Sequence, residues 1–267
     1  MDKTVDFTIG KIMDKHLSGM SRSYQFFAAR VYLKAIPLAL GPALPNLLRG
    51  LYYGIRGERR KRIYEFLQGS KLWGYSVQKM SEAELVCLNE IPIPEAGHLI
   101  FLNHVNELDF PFDCICINKP YLANQVIKKT LVAYWWMKAM GSQVFDNRNT
   151  LSVSISVKNL LRGLKDTSFI VYPEGKNTYT EEIQPLKKGM VKLAYDHEIP
   201  IVLVLKSGIA SYQEYQKGNK IAYKSFGILK PRDYSSWEAF KTALQDLMIQ
   251  GKESLDRERR EYFGLTS

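Results

Sequence analysis

The 267-residue chain is poor in the residues that several familiar chemistries require. Its three cysteines, Cys87, Cys114 and Cys116, are an odd number without CxxC spacing, and no Cys/His pair accompanies Cys114-Ile115-Cys116 to complete a zinc site. No metal is therefore expected, and a reducing, cytosol-facing compartment is. No G-x-S-x-G elbow occurs, which leaves no serine nucleophile of that type. Gly175-Lys176-Asn177-Thr178 is faintly like a phosphate loop, but position 170 is isoleucine where the P-loop pattern needs glycine. The start, Met1-Asp2-Lys3-Thr4-Val5-Asp6, lacks a basic region followed by an apolar one, so no secretory signal is expected. Internal repeats and low-complexity stretches are absent.

Long uncharged apolar runs are missing too. Residues 24–55 are strongly apolar, but Arg30, Lys34 and Arg49 interrupt them and Pro37, Pro42 and Pro45 break the middle. The longest uncharged run there, Ala35–Leu48, falls short of the roughly 20 residues a bilayer crossing needs. Two short helices joined by a Pro/Gly bend, lying in a membrane interface with tyrosines at headgroup depth, are expected instead. The alternative is that they simply pack on the core.

What the chain does have is apolar content, at 46%, and an excess of positive charge, at +10. The first suffices for one large α/β domain or one domain plus a small helical appendage. The second calls for an anionic partner. Arg59-Arg60-Lys61-Arg62 directly follows the apolar segment, and Arg257, Arg259 and Arg260 cluster near the end. A basic run beside an apolar one suits an anionic lipid surface, where each Lys or Arg contributes about 1 kcal/mol. Nucleic acid is not expected, since Trp135 and Trp136 suit core or acyl-chain packing better than base stacking.

From about Tyr75 short β-like runs alternate with helical segments. Residues 85–88, 99–102, 168–172 and 201–205 read as strands, and 130–140, 151–164 and 187–197 as helices. Residues 221–229 suggest a late edge strand, and a long charged amphipathic helix follows from Trp237 to about Glu261. The expected fold is therefore α/β, with a mostly parallel central sheet covered by helices and an N-terminal apolar helical pair for membrane association. The division expected is 1–70 for the helical membrane-association segment and 71–267 for the α/β domain. Functional residues then belong in loops at the carboxyl ends of strands.

Four segments there carry candidate chemistry. Asn103-His104-Val105-Asn106-Glu107-Leu108-Asp109 follows the apolar run Leu99–Leu102. At about 100° per residue, positions five apart on one helix point roughly 140° away from each other. A turn must therefore separate His104 from Asp109, letting the carboxylate fold back onto one ring nitrogen while the other faces a hydroxyl. Tyr172-Pro173-Glu174-Gly175 ends a buried strand with a carboxylate and a glycine whose N–H could meet an oxyanion. Gly141–Arg148 places an arginine past a short strand, where its fork could grip a phosphate or pair with Asp146 or Asp109. Pro185-Leu186-Lys187-Lys188-Gly189 puts cations near a helix start, where the dipole does not favour them. His16, His98 and His197 read as structural or solvated.

In this order these segments resemble the glycerolipid acyltransferase family, whose best-known members are the 1-acylglycerol-3-phosphate (lysophosphatidic acid) acyltransferases. The resemblance covers roughly residues 75–210: His104 and Asp109 match the family's His-x4-Asp motif, Val144–Arg148 its Phe-x-x-Arg block, Pro173–Gly175 its Pro-Glu-Gly block and Ile199–Val202 its late Pro-centred strand. It implies that His104 takes a proton from an acceptor hydroxyl attacking an acyl thioester, and that Asp109 holds the imidazole. Arg148 is implied to bind the acceptor phosphate, and Glu174 with Gly175 to shape the acceptor and oxyanion site. No cofactor is implied; acyl-CoA or acyl carrier protein is the co-substrate.

The chain departs from the family pattern at several points. Thr-Arg-Ser after Pro-Glu-Gly is replaced by Lys176-Asn177-Thr178, so Lys176 could return the charge only as a mobile point charge. The serine of the first block is Asn106, and the second proline of the late strand is Leu203. The expected protein is thus a monotopic or peripheral acyltransferase at the cytoplasmic face of a membrane, acting on a lysophospholipid, with 1-acyl-sn-glycerol 3-phosphate as first candidate. A different acceptor, such as a lyso-aminolipid, and a non-catalytic lipid-binding protein remain as alternatives.

Overall fold

The computed structural model describes residues 21–265 apart from 130, 147–148 and 215–217. Four helices come first: α1 (Arg22–Leu33), α2 (Ala35–Ala39), α3 (Leu44–Ile55) and α4 (Arg59–Ser81). Then follow β1 (Glu84–Cys87), β2 (Leu99–Phe101), α5 (Asp109–Cys116), β3 (Leu122–Asn124), α6 (Leu131–Ala139), β4 (Gln143–Phe145), α7 (Thr150–Leu164), β5 (Phe169–Val171), α8 (Lys188–Asp196), β6 (Ile201–Ser207), β7 (Lys220–Leu229) and α9 (Trp237–Phe263).

The main sheet has the order β1-β7-β6-β2-β5, and β3 pairs with β4 in a small second sheet. All pairings are parallel except β6 with β7. Every residue of β2, β5 and β6 is buried. Their side chains alternate with the two-residue period of a strand. Ile100, Val202 and Val204 face a core shared with α1, α4 and α5, whereas Leu99, Phe101, Leu203 and Leu205 face one shared with α7, α8 and α9. Helices thus cover both faces, which is why these strands are continuously apolar in sequence.

The expected edge strand 221–229 is corrected by this order. β7 lies inside the sheet, and β1, with Glu84 and Cys87 exposed, forms the edge beside it. The apolar run 85–88 hid this, because a short edge strand and a buried one look alike in sequence.

The N-terminal segment forms three helices rather than two. Tyr24, Phe27, Ala28 and Val31 of α1 are buried, while Phe26, Ile36, Leu40, Leu48 and Ile55 stay exposed, Ile55 at 88%. One face therefore packs on the domain while the other offers apolar side chains to its surroundings. Among the described residues no single helix is long and apolar enough to cross a membrane; Arg22–Ala39 and Leu44–Ile55 meet at a bend of 74°. α4 runs through the boundary drawn between residues 70 and 71, because Ile63, Phe66, Trp73 and Val77 recur at helical spacing along one buried stripe. Trp73 Nε1–H donates to the Val31 carbonyl at 3.1 Å and ties α1 to α4.

Candidate active site

β2 ends at Phe101, and residues 102–108 form the turn that the His-to-Asp spacing requires. Asn106 shapes it: its Oδ1 accepts from the Leu108 N–H at 2.9 Å, and its carbonyl accepts from the Asp109 N–H at 3.2 Å. Asp109 is the first residue of α5, where the helix dipole favours a carboxylate. Its Oδ2 lies 2.6 Å from His104 Nδ1 and also accepts from the Val105 N–H at 2.7 Å. An ionised carboxylate can only accept, so Nδ1 facing it carries the ring proton and Nε2 is left as the acceptor. The His104 side chain is 19% exposed and that of Asp109 only 1%. The imidazole thus keeps one wet edge while the carboxylate that holds it is dry.

The Pro-Glu-Gly segment clamps this turn. Glu174 Oε2 accepts from the His104 N–H at 2.7 Å, and Oε1 from the Gln184 N–H at 2.9 Å. The Thr178 hydroxyl and N–H both donate to the His104 carbonyl, at 2.8 and 3.0 Å. Gly175 has φ +72°, a left-handed conformation that favours glycine, and a Cβ there would sit 2.9 Å from Lys187 Cγ. Its N–H, offered by the sequence to an oxyanion, instead donates to the Tyr172 carbonyl at 3.1 Å and closes a tight turn. Lys176 is exposed at the rim. Arg148 lies outside the described residues.

Burial pushes the Glu174 carboxyl above its ordinary value of 4.5, against the two backbone N–H groups that favour its charged form. Between the ordinary and the raised value the folded state holds more proton than the unfolded chain, so this group's contribution to stability falls as pH rises through that window. The stability of Glu174→Gln relative to the parent should therefore improve as pH rises from 4.5, read by urea denaturation across a pH series. A flat difference would refute the assignment.

Sequence reasoning missed a second tier behind the histidine. Lys206 of β6 is fully buried, its Nζ 3.3 Å from Asp109 Oδ1 and 3.0 Å from both oxygens of Asp113. Asp113 also accepts from the Tyr172 hydroxyl at 2.5 Å and the Tyr223 hydroxyl at 2.7 Å. The Tyr172 ring stacks on His104 with centroids 3.9 Å apart and planes 10° from parallel. Asn103 fixes the lysine's backbone, exchanging hydrogen bonds of 2.9 and 3.0 Å with it. The chain His104–Asp109–Lys206–Asp113–Tyr172 thus closes on itself. Two signals were available: Asp113 lies one turn after Asp109 on α5, and Lys206 is a charge inside an apolar strand.

Glu107 forms an outer tier. It accepts from the Tyr24 hydroxyl at 2.7 Å, Asn177 Nδ2 at 2.7 Å and the Tyr179 hydroxyl at 2.6 Å. Its carbonyl accepts from the Tyr32 hydroxyl at 2.8 Å, so α1 is tied to the same turn. Among the described residues no group of three or more His, Cys, Asp or Glu could hold a metal ion.

The His104–Asp109 pair at the carboxyl edge of this α/β sheet has the geometry of a general base and its orienting carboxylate. Residues 84–205 match the Acyltransferase family model. Over 177 residues it is 28% identical to the 1-acyl-sn-glycerol-3-phosphate acyltransferase of Saccharomyces cerevisiae, covering 59% of this chain and 54% of that protein. Over 185 residues it is 25% identical to a probable 1-acyl-sn-glycerol-3-phosphate acyltransferase of Mycoplasma genitalium, covering 66% and 64% respectively. The chain thus spans between about half and two thirds of the length of these curated relatives. The fold is similar to the crystal structure of the 1-acyl-sn-glycerophosphate (LPA) acyltransferase PlsC from Thermotoga maritima, with a TM-score of 0.64 at 18% identity over 86% of this chain and 98% of that one.

Proposed function

We propose that this protein moves a fatty acyl group from a thioester, on coenzyme A or acyl carrier protein, to the hydroxyl of a lysophospholipid. The 2.6 Å His104–Asp109 pair carries this reading. His104 Nε2 takes the hydroxyl proton as the oxygen attacks the thioester carbonyl. The tetrahedral intermediate then expels the thiolate, which takes up the proton, giving an ester and a free thiol. A thiol leaves readily, so one base suffices and no cofactor is needed. The acceptor closest to the names of the relatives is 1-acyl-sn-glycerol 3-phosphate, whose phosphate Arg148 would bind, with Lys176 adding charge at the rim. The exposed apolar side chains of α1–α3 suit docking at the cytoplasmic face of a membrane.

A second acceptor reading rests on Glu107. Its carboxylate holds Asn177, at a step where the resemblance expects an arginine, which suits an acceptor without a phosphate, such as a lyso-aminolipid. The test incubates purified protein with acyl-CoA or acyl carrier protein and a lysolipid panel, following thiol release and product mass. Absence of lipid-dependent thiol release across the panel would leave only lipid binding. Arg148→Ala should lower turnover of the phosphate-bearing acceptor by about tenfold to a hundredfold, the worth of a charge-assisted hydrogen bond. An equal loss on phosphate-free acceptors would remove the phosphate clamp.

A further inference from the structure

A cleft of about 730 Å³ opens between α3, α4, the end of α6 and the loop into β4. It contains none of His104, Asp109, Glu174, Gly175 or Lys176. Among the described residues three cations line it, Arg59, Arg62 and Lys138, and no Asp or Glu does. Arg59 has a partner outside the cleft, Asp166, at 3.3 Å. Among the described residues Arg62 and Lys138 have no acidic partner within ion-pair distance, and Arg62 Nε is buried without a hydrogen bond. The Arg62 side chain lies across Gly54, where a Cβ would come within 3.3 Å of its Cδ. Gly141, at φ +89°, lets the chain pass beneath, where a Cβ would meet Ile63 Cγ1 at 2.6 Å.

Like charges brought together and partly dried repel one another, and the folded protein gains nothing from that unless an anion joins them. Burial lowers the Arg62 and Lys138 pKa values, and Arg59 pushes both the same way. The rim adds a second requirement. Leu51, Ile55 and Trp135 border the cations and are 43%, 88% and 51% exposed. An inorganic ion would leave these apolar groups in water, and the cleft far exceeds its size. An amphiphile satisfies both parts at once.

We propose that this cleft is a discrete binding site for the phosphate headgroup of an anionic phospholipid, with its first methylenes against Leu51, Ile55 and Trp135. The site is independent of acyl transfer and would hold the α3–α4 corner at a phosphate-bearing bilayer surface. Arg62 supplies a fork for two phosphate oxygens and Lys138 a point charge.

The test is binding, so it stands apart from any assay of turnover. Flotation with phosphatidylcholine vesicles, with and without phosphatidic acid, compares the parent with R62Q/K138Q and with the equal-charge control K158Q/R257Q, whose residues are exposed and outside the cleft. The cleft variant should bind phosphatidic-acid vesicles about tenfold or more weakly. The control should stay within about twofold. Equal losses in both would overturn the proposal in favour of diffuse surface charge. On the parent protein, dihexanoyl phosphatidylglycerol, an anionic phospholipid that is neither the proposed acceptor nor its acylated product, should raise the melting temperature more than inorganic phosphate at equal concentration. Equal shifts would make this a free-phosphate site, and no shift with either would overturn the proposal even if the double variant failed to fold.

Discussion

His104→Ala is expected to lower acyl transfer by about a hundredfold to ten-thousandfold while leaving the fold intact, the usual worth of positioned acid–base catalysis. The separation of these effects follows from the site's layout. The imidazole sits on a turn, with one edge reaching solvent, and its side-chain hydrogen bond goes to Asp109. The bonds that hold the turn run through the His104 backbone instead, to Glu174 and Thr178, and alanine keeps them. Asp109 stays paired with Lys206. Thiol release with acyl-CoA or acyl carrier protein measures the loss, and circular dichroism checks the fold. Near-normal turnover in a folded variant would sink the mechanism.

The first tier of this site was legible because it is local. His104 and Asp109 are five residues apart, and a strand exit followed by a helix start brings them together with no information from elsewhere in the chain. Glu174 was legible as a strand-exit carboxylate, but its partners were not, since the backbone N–H groups of residues 104 and 184 carry no mark in sequence. The same limit hid the place of β7, whose sheet position depends on which neighbours it pairs with and not on its own pattern. Tyr24 and Tyr32 donate to Glu107, which the sequence could not reveal across separations of 83 and 75 residues. Lys206 was hidden for a related reason, because reading a strand as apolar tends to stop it at the first charge.

That lysine gives the largest expected loss of stability. Lys206→Met fills the space with an unbranched apolar side chain but leaves Asp109 and Asp113 facing each other, buried and without a cation. Breaking a buried ion pair from one side costs about 3–5 kcal/mol, because the abandoned charge remains dry. Urea denaturation should show that loss, and a variant within 1 kcal/mol of the parent would mean, by the same reasoning, that the carboxylates are not both charged. The pH dependence separates this from a packing defect. Burial already raises the Asp113 carboxyl above its ordinary value of 3.8, against the pull of Lys206, and removing the lysine raises it further. A raised carboxyl binds more proton in the folded state, so stability is lost as pH rises through the window above 3.8 and regained as pH falls towards it. The deficit of Lys206→Met should accordingly shrink on acidification, whereas a cavity or a clash would leave it constant. Adding Asp113→Asn to Lys206→Met should recover part of the deficit at neutral pH, since one buried charge then remains where there were two. Because the double variant removes the second carboxylate charge facing Asp109, Asp109 should hold His104 better than in Lys206→Met alone and turnover should return further, the result expected of a residue that positions the His104–Asp109 pair.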